Sequence, residues 1–459
     1  MAVQHVAAIS NETGASPMDD SIADTSNMTR QAVGTARTDS HDWPGNPDVV
    51  IIGAGSAGLS AARKLRKKGL SCIIVEAADR VGGRAWTEST TFGVPIDHGC
   101  SWISGSDKNP YTKIARDRGF TLVDHTDAET HLFDLDGNPA NDNDYDVYQK
   151  AEKVIPRAIG KAGKKGLDVA ASTVIPDVRF GATVHSWMGS MDYGVNFDQV
   201  STRDFWNTAS SQPSKLVREG LGSVVATLAE DLPISLNTPV TAIDWSGQGV
   251  SVETSKGTIK AAACLITVST GVLAANKIRF TPDLPDWKQQ AVHDIPMGLL
   301  MKVPMLFDGA RLGLTENNWV TYELPDEKAG EGCFFVAWPC GLDLVYGNIG
   351  GRFGWELYAE GQAAVLDYAM QELVRLVGSD ARKHFIKGLA TDWADNPLTL
   401  GSYGAVRPGA AKARDQLAEP LADRLFFAGE ATHKWVPALV NGAYLSGRIA
   451  AKKMIRVLA

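Results

Sequence analysis

An α/β fold built around a parallel sheet is what this sequence predicts, and three observations carry it. Val49 to Ile52 is an unbroken apolar run that ends directly in a glycine turn. The turn opens a helix, and the helix leads to a second apolar run, Ser71 to Val75, followed by the acidic Glu76. Short apolar runs return from Pro239 onward and at Leu425 to Phe427, so segments far apart in the chain are expected to share one domain. Continuous rather than alternating apolar residues suit strands covered on both faces.

The glycine turn is the most specific of these signals. Gly53, Gly55 and Gly58 have the G-x-G-x-x-G spacing. Gly53 permits the tight turn, Gly55 lets a pyrophosphate approach the backbone, and Gly58 lets the helix pack closely on the sheet. Ser56 begins a helix running to about Lys67, whose N-terminal N–H groups and dipole suit a phosphate. The Glu76 carboxylate is placed to accept hydrogen bonds from ribose hydroxyls, and its charge disfavours a 2′-phosphate. Strand, turn, helix, strand and acid in that order form a Rossmann-like dinucleotide site.

A second glycine segment follows at once. Gly82 and Gly83 allow another close backbone approach to phosphate, and Arg84 adds a planar, fixed charge. The run from Glu76 and Ala77 to Thr87, E-A-x-x-R-x-G-G-R-x-x-T, resembles the second cofactor motif of the flavin-containing amine oxidases. The resemblance implies FAD rather than NAD. It also implies a Rossmann-like FAD-binding domain of the glutathione-reductase type with an interleaved α+β substrate-binding domain.

Composition is compatible with that plan and excludes others. The 459 residues, 44% hydrophobic and 21% charged, suffice for two domain-sized cores. A net charge of −8 offers no general basic surface to nucleic acid or anionic membranes. Cys72, Cys100, Cys264, Cys333 and Cys340 form no C-x-x-C pair and no zinc-type cluster. No metal is therefore expected, and the cysteines read as reduced thiols of a cytoplasmic protein. No apolar run reaches the length of a membrane span, and no export signal is recognisable. Residues 1–46, rich in Ser, Thr, Asp and Asn, read as a flexible N-terminal leader.

The rest of the chain divides into 47–110, 213–290 and 391–459 for a discontinuous FAD-binding domain, and 111–212 with 291–390 for a discontinuous substrate-binding domain. Gly99 to Gly105 resembles the family segment that leaves the first domain, with Trp102 implied at the cofactor. From Arg218 a glycine turn leads into an amphipathic helix carrying Val224, Leu228 and Leu232 on one face. A small β-meander then runs through Val240, Val250 to Glu253 and Ala261 to Val268. In the family, the residue matching Val240 contacts the adenine through its backbone. Strands are expected at Phe334 to Pro339 and Leu344 to Ile349, and an amphipathic helix at Ala363 to Leu376.

Lys302 is the single charge in the apolar run Ile295 to Phe307. A buried ammonium costs several kcal/mol unless it is paired, and its pKa falls; the other reading is a lysine snorkelling from a strand edge. The pattern P-M-G-x-x-x-K, Pro296 to Lys302, resembles the family's, where the lysine holds a water against the flavin N5. Trp393 to Gly409 resembles the family segment that lies beside the isoalloxazine. It implies Tyr403 as one wall of an aromatic cage for a neutral amine, with Trp393 near it, although both also read as core aromatics. Some relatives carry a cysteine bonded to the flavin where this chain has Ser402, so the FAD is expected to be non-covalent.

Ala428 to Thr432 resembles the family's F-A-G-E-A-T motif, which implies Gly429 and Glu430 at the ribityl chain. The following helix, Asn441 to Ala451, has small Ala443, Gly447 and Ala451 on one face, and its N-terminus near Val440 is implied to point at flavin N1 and the C2 carbonyl. Leu439 stands where many relatives have a second cage tyrosine or a threonine, and Trp435 is the candidate to restore that wall. The departure implies an amine with a bulkier apolar neighbour rather than a slim polycation.

The resemblance covers about residues 48 to 457 and is closest to the polyamine oxidase and lysine-specific demethylase-like branch, whose demethylases carry a helical insertion absent here. It implies binding of a small-molecule amine, hydride transfer from its α-carbon to flavin N5, hydrolysis of the imine, and reoxidation by molecular oxygen, giving hydrogen peroxide, or by another acceptor. A homodimer is one of the assemblies left open. Three alternatives also stand: an L-amino acid oxidase, with Arg279 or Arg352 as a carboxylate clamp; a flavin-dependent amine dehydrogenase; and a catalytically silent FAD-stabilised binding protein.

Overall fold

The computed structural model describes residues 45–208 and 211–458; the leader expected over 1–46 lies outside them except for its last two residues. A wholly parallel five-stranded sheet runs in the order Leu425–Phe427, Ala263–Ile266, Val49–Ile52, Cys72–Val75, Ile234–Ser235. Val49–Ile52 lies at its centre with every side chain buried. Successive residues of a strand point to opposite faces, and the packing follows that alternation. Val49 and Ile51 join a core made with helices, while Val50 and Ile52 join a second core made with a mixed four-stranded layer. Full burial of each such branched side chain contributes roughly 1.5–3 kcal/mol.

The helix after the glycine turn spans Ser56–Arg66, and the last helix spans Val440–Leu458. They lie against one another because the contact is built from small residues. A Cβ on Gly447 would sit 2.1 Å from the Ala57 carbonyl oxygen, and Ser60 Oγ donates to the Tyr444 carbonyl at 2.7 Å. The close packing expected from Ala443, Gly447 and Ala451 therefore has a named partner.

Two expectations are corrected in the middle of the chain. The helix expected to reach Leu232 is short, Leu221–Ala226, and passes into a 3₁₀ turn at Thr227–Ala229. Val224, Leu228 and Leu232 are all buried nonetheless, because the irregular turn keeps them on the same core. The apolar run Ala261 to Val268 is not one strand of a meander. Gly257–Ala261 closes a four-stranded sheet with Val250–Thr254, Val240–Asp244 and Arg279–Thr281, whereas Ala263–Ile266 crosses into the parallel sheet. Exposed Ala262 marks the crossing, where the N–H groups of Ala262 and Ala263 both donate to the Asp48 carbonyl.

A six-stranded sheet forms the other half of the molecule, in the order Phe385–Gly388, Leu300–Phe307, Leu344–Gly350, Phe334–Ala337, Trp319–Tyr322, Thr130–Phe133. Helix Gln362–Val377 covers it, as its periodicity predicts. Residues 111–212 hold a long helix, Asp142–Lys164, started by a reciprocal Asn141–Asp144 capping box. A small sheet of Trp102–Ser104, Ser214–Val217 and Leu122–Asp124, and the pairing of Met297–Gly298 with Tyr403–Gly404, tie the two halves together. Among the described residues no helix is long and apolar enough to cross a membrane.

Candidate active site

The parallel strands deliver their carboxyl ends to one edge, where an open α/β sheet binds its ligands. Gly55 and Gly82 form a bridge there, and Gly82 N–H donates to the Ala54 carbonyl at 2.9 Å. The two glycine segments are therefore one surface. Gly58 is required by packing, since a Cβ would lie 2.0 Å from the Gly53 carbonyl oxygen. Ser56 Oγ lies 2.6 Å from Tyr111 Oη and donates to the Val440 carbonyl at 2.9 Å, so the N-termini of the first and last helices meet. Their dipoles favour negative charge at the same place.

Glu76 is buried, and burial pushes its carboxyl above the usual range. The N–H of Ala54 at 2.7 Å and that of Ala78 at 2.9 Å hold the carboxylate in place, beside Ala77 in the turn. These residues fit a dinucleotide cofactor. Gly55 caps its helix without a side-chain bond, and the first turn holds no acid to compete with a phosphate. A Cβ on Gly55 would meet nothing nearer than the Gly82 oxygen at 3.8 Å, so the floor is open backbone. Trp102 adds a buried indole N–H with no hydrogen-bond partner among the described residues. Val240 is a buried first residue of its strand, next to a register shift before Ala242.

Arg84 joins motifs 346 residues apart in the chain. Its Nη1 donates to Glu430 Oε1 at 2.9 Å and to the Ser402 carbonyl at 2.8 Å. Glu430 in turn accepts from the N–H groups of Gly404 and Ala438, each at 3.2 Å. Gly429, at φ +138°, donates its N–H to Ser446 Oγ in the last helix. One buried carboxylate thus fixes the second glycine segment, the Tyr403 segment and the approach to half-buried Leu439 and Val440.

Lys302 is buried on Leu300–Phe307, and burial lowers its pKa. Its Nζ bonds Ser101 Oγ, sits 3.5 Å from the Asp97 carbonyl oxygen, and lies 5.3 Å from the ring centre of Trp102 and 5.6 Å from that of Tyr346. Snorkelling is excluded. Tyr403 is fixed at both ends: its backbone pairs with Gly298, and its hydroxyl donates to the Met191 carbonyl. Trp393 is buried in the core of the six-stranded half, its indole donating to the His98 carbonyl at 2.8 Å. Trp435 is 57% exposed, with Lys434 Nζ 5.5 Å above its ring. Among the described residues no ring contact joins Trp435 to Tyr403.

Residues 56–171 and 186–455 match the family described as flavin containing amine oxidoreductase. The chain belongs to this family. As a family member it is a flavin-dependent amine oxidoreductase. It is 30% identical to "Polyamine oxidase 4" of Oryza sativa subsp. japonica, over 88% of each chain. It is 28% identical to "Lysine-specific histone demethylase 2" of Homo sapiens over 89% of its own length, and spans 53% of that longer protein. Among solved structures it is similar to putrescine oxidase, wild type bound to putrescine, with a TM-score of 0.76, 20% identity, and coverage of 90% of this chain and 99% of that one. At that identity the likeness shows the fold.

Ser101, Tyr111 and Thr267 were not singled out by the sequence. Thr267, directly after its strand, donates to the Ile52 carbonyl at 2.7 Å and packs against Gly53. Each acts on a residue far away in the chain, and no local pattern marks it.

Proposed function

We propose that this amine oxidoreductase oxidises a small amine with FAD held non-covalently. The observation that carries the reading is the Arg84–Glu430 junction, which ties the second glycine-rich cofactor segment to the backbone of the Tyr403 segment. Gly53, Gly55, Ser56 and Gly58 take the pyrophosphate with Gly82, Gly83 and Arg84; Glu76 and Ala77 take the ribose, and Val240 the adenine. Trp102, Gly429, Glu430, Leu439 and Val440 would hold the flavin end. When bound, FAD would supply the two-electron acceptor for an α-hydride of the amine, leaving an imine for water to hydrolyse, and molecular oxygen would take those two electrons with two protons as hydrogen peroxide.

The chain's own residues do the rest. Ser402 offers no thiol for attachment; its hydroxyl is used by the Leu300 backbone, accepting from the N–H at 2.9 Å and donating to the carbonyl at 2.8 Å. Tyr403, unable to rotate away, presents an apolar ring to the amine. The lowered pKa of Lys302 eases loss of a proton at Nζ, and Ser101 aims that group, so it holds a water and passes protons during imine hydrolysis or reoxidation. Trp393 supports this wall through the His98 carbonyl, and Trp435 is the outer aromatic.

The division into 47–110, 213–290 and 391–459 against 111–212 and 291–390 is part of the proposal. All five strands of the parallel sheet fall in the first set and all six of the large mixed sheet in the second, which supports it. The amino-acid oxidase alternative finds less support. Arg279 and Arg352, its candidate clamps, are exposed and already paired with Glu253 at 3.4 Å and Asp198 at 2.7 Å. Purified protein should show flavin absorbance that is released on acid precipitation, and anaerobic amine should bleach it. A protein that takes up no flavin, or whose flavin no amine bleaches, refutes the reading.

A further inference from the structure

Arg414 and Asp204 form an ion pair in which both side chains are almost wholly buried. Nε donates to Asp204 Oδ1 at 2.8 Å and Nη2 to Oδ2 at 2.9 Å, the fork that a planar guanidinium makes with a carboxylate. Burial opposes the charge on Arg414, and the Asp204 carboxylate more than offsets it, so the guanidinium is held above its ordinary pKa range. Burying two charges is costly, and apolar residues of similar volume often serve stability as well or better. Stability alone does not account for charge at this place.

The remaining donors show what the charge holds. Nη1 donates to the Ala431 carbonyl at 3.1 Å, and Nη2 also to the Gly404 carbonyl at 3.2 Å. Gly404 directly follows Tyr403, and Ala431 directly follows Glu430. The N–H of the same Gly404 goes to Glu430 Oε1, so this residue is gripped by an anion on its N–H and by a cation on its carbonyl. It has no slack sideways either, since a Cβ on Gly404 would lie 2.8 Å from Ile295 Cγ2. Asp204 anchors the other end. It lies on helix Thr202–Asn207, where the capping Ser201 accepts the Asp204 N–H on Oγ at 3.0 Å and sends its own N–H to the Val406 carbonyl at 3.3 Å. Asp204 falls in 111–212 and Arg414, on helix Ala413–Ala418, in 391–459, so the pair spans the two proposed domains.

We propose that Arg414, set by Asp204, is a positioning residue for amine oxidation: it keeps the Tyr403–Gly404 backbone and the Glu430–Ala431 turn in one register, and so places the Tyr403 ring relative to the flavin end of the site. The inference rests on the amine-oxidation reading and deepens it. Arg414 acts through Tyr403 and Glu430, its own donors being engaged within the protein. A displacement of about 1 Å between reacting groups is enough to slow a reaction about a hundredfold.

The test mixes holoenzyme anaerobically with putrescine, the amine bound in the similar solved structure, or with n-hexylamine, and follows flavin bleaching by rapid-reaction absorbance. R414K keeps the charge and loses the fork. It should lower the limiting rate of bleaching about tenfold or more, while the half-saturating amine concentration moves less than about threefold. The double variant D204L/R414M replaces the pair by apolar side chains of similar size and should keep the melting temperature. It should nevertheless stay as slow as R414K, because the Gly404 and Ala431 carbonyls have lost their donor. Recovery of the wild-type limiting rate in D204L/R414M, or an unchanged limiting rate in R414K, overturns the positioning role and leaves a structural ion pair. A rise in half-saturating concentration with the limiting rate intact overturns it as well. Wild-type holoenzyme bleached by neither amine overturns the amine-oxidation reading instead; the hold on the Glu430 turn is then read from flavin release, which R414K should speed about threefold or more, and unchanged release overturns that hold.

Discussion

Lys288 and Lys302 are both buried lysines, 0% and 4% exposed, and burial lowers the pKa of both, that of Lys288 to about 7. Their partners differ. Lys288 Nζ, on helix Asp286–His293, donates to the carbonyls of Gln416 at 2.7 Å, Leu417 at 3.0 Å and Glu419 at 2.5 Å. These close the end of helix Ala413–Ala418, where carbonyls lack intrahelical donors and the dipole welcomes a cation. Its hydrogen-bonding capacity is spent. Lys302 has one side-chain oxygen and a distant carbonyl, while each lysine also lies over two aromatic rings. Burial and pKa direction thus do not separate a structural lysine from a chemical one; unspent donors do.

That contrast can be broken by experiment. The largest effect is expected for Lys302→Met, which should slow flavin reduction or reoxidation about a hundredfold while the melting temperature moves little. Rapid-reaction spectroscopy showing both half-reactions intact would remove the distinction between the two lysines. Lys288→Met should do the reverse. Three carbonyls lose their donor, stability falls by about 1–3 kcal/mol in thermal or denaturant unfolding, and turnover per bound flavin is kept. A loss of turnover at unchanged stability contradicts the structural role. The smallest effect is expected for Ser101→Ala, which removes one hydrogen bond to Lys302 and should lower the same rate that Lys302→Met lowers, about two- to tenfold. A change in the other half-reaction alone would show that Ser101 does not act through Lys302.

Much of the cofactor half was legible in the chain. Gly53 to Gly58, the helix at Ser56 and Glu76 lie within one βαβ unit, where turn geometry and periodicity are set by neighbours in sequence. Less was legible where local signals conflict with tertiary demands. The apolar run at Ala261 to Val268 gives no hint that Ala262 hands the chain from one sheet to another. Lys288 drew no attention because D-W-K-Q-Q looks like an ordinary polar helix start.

By itself the sequence determined the fold class and the family, because each rests on backbone conformations and spacings of nearby residues that few sequences satisfy. The tertiary structure alone decided that Arg84 meets Glu430, that Lys302 is enclosed by Ser101, Trp102 and Tyr346, and that the Tyr403 hydroxyl is tied to the Met191 carbonyl. Charge acquires chemical meaning from what surrounds it, and the surroundings of these groups come from segments as far as 346 residues apart.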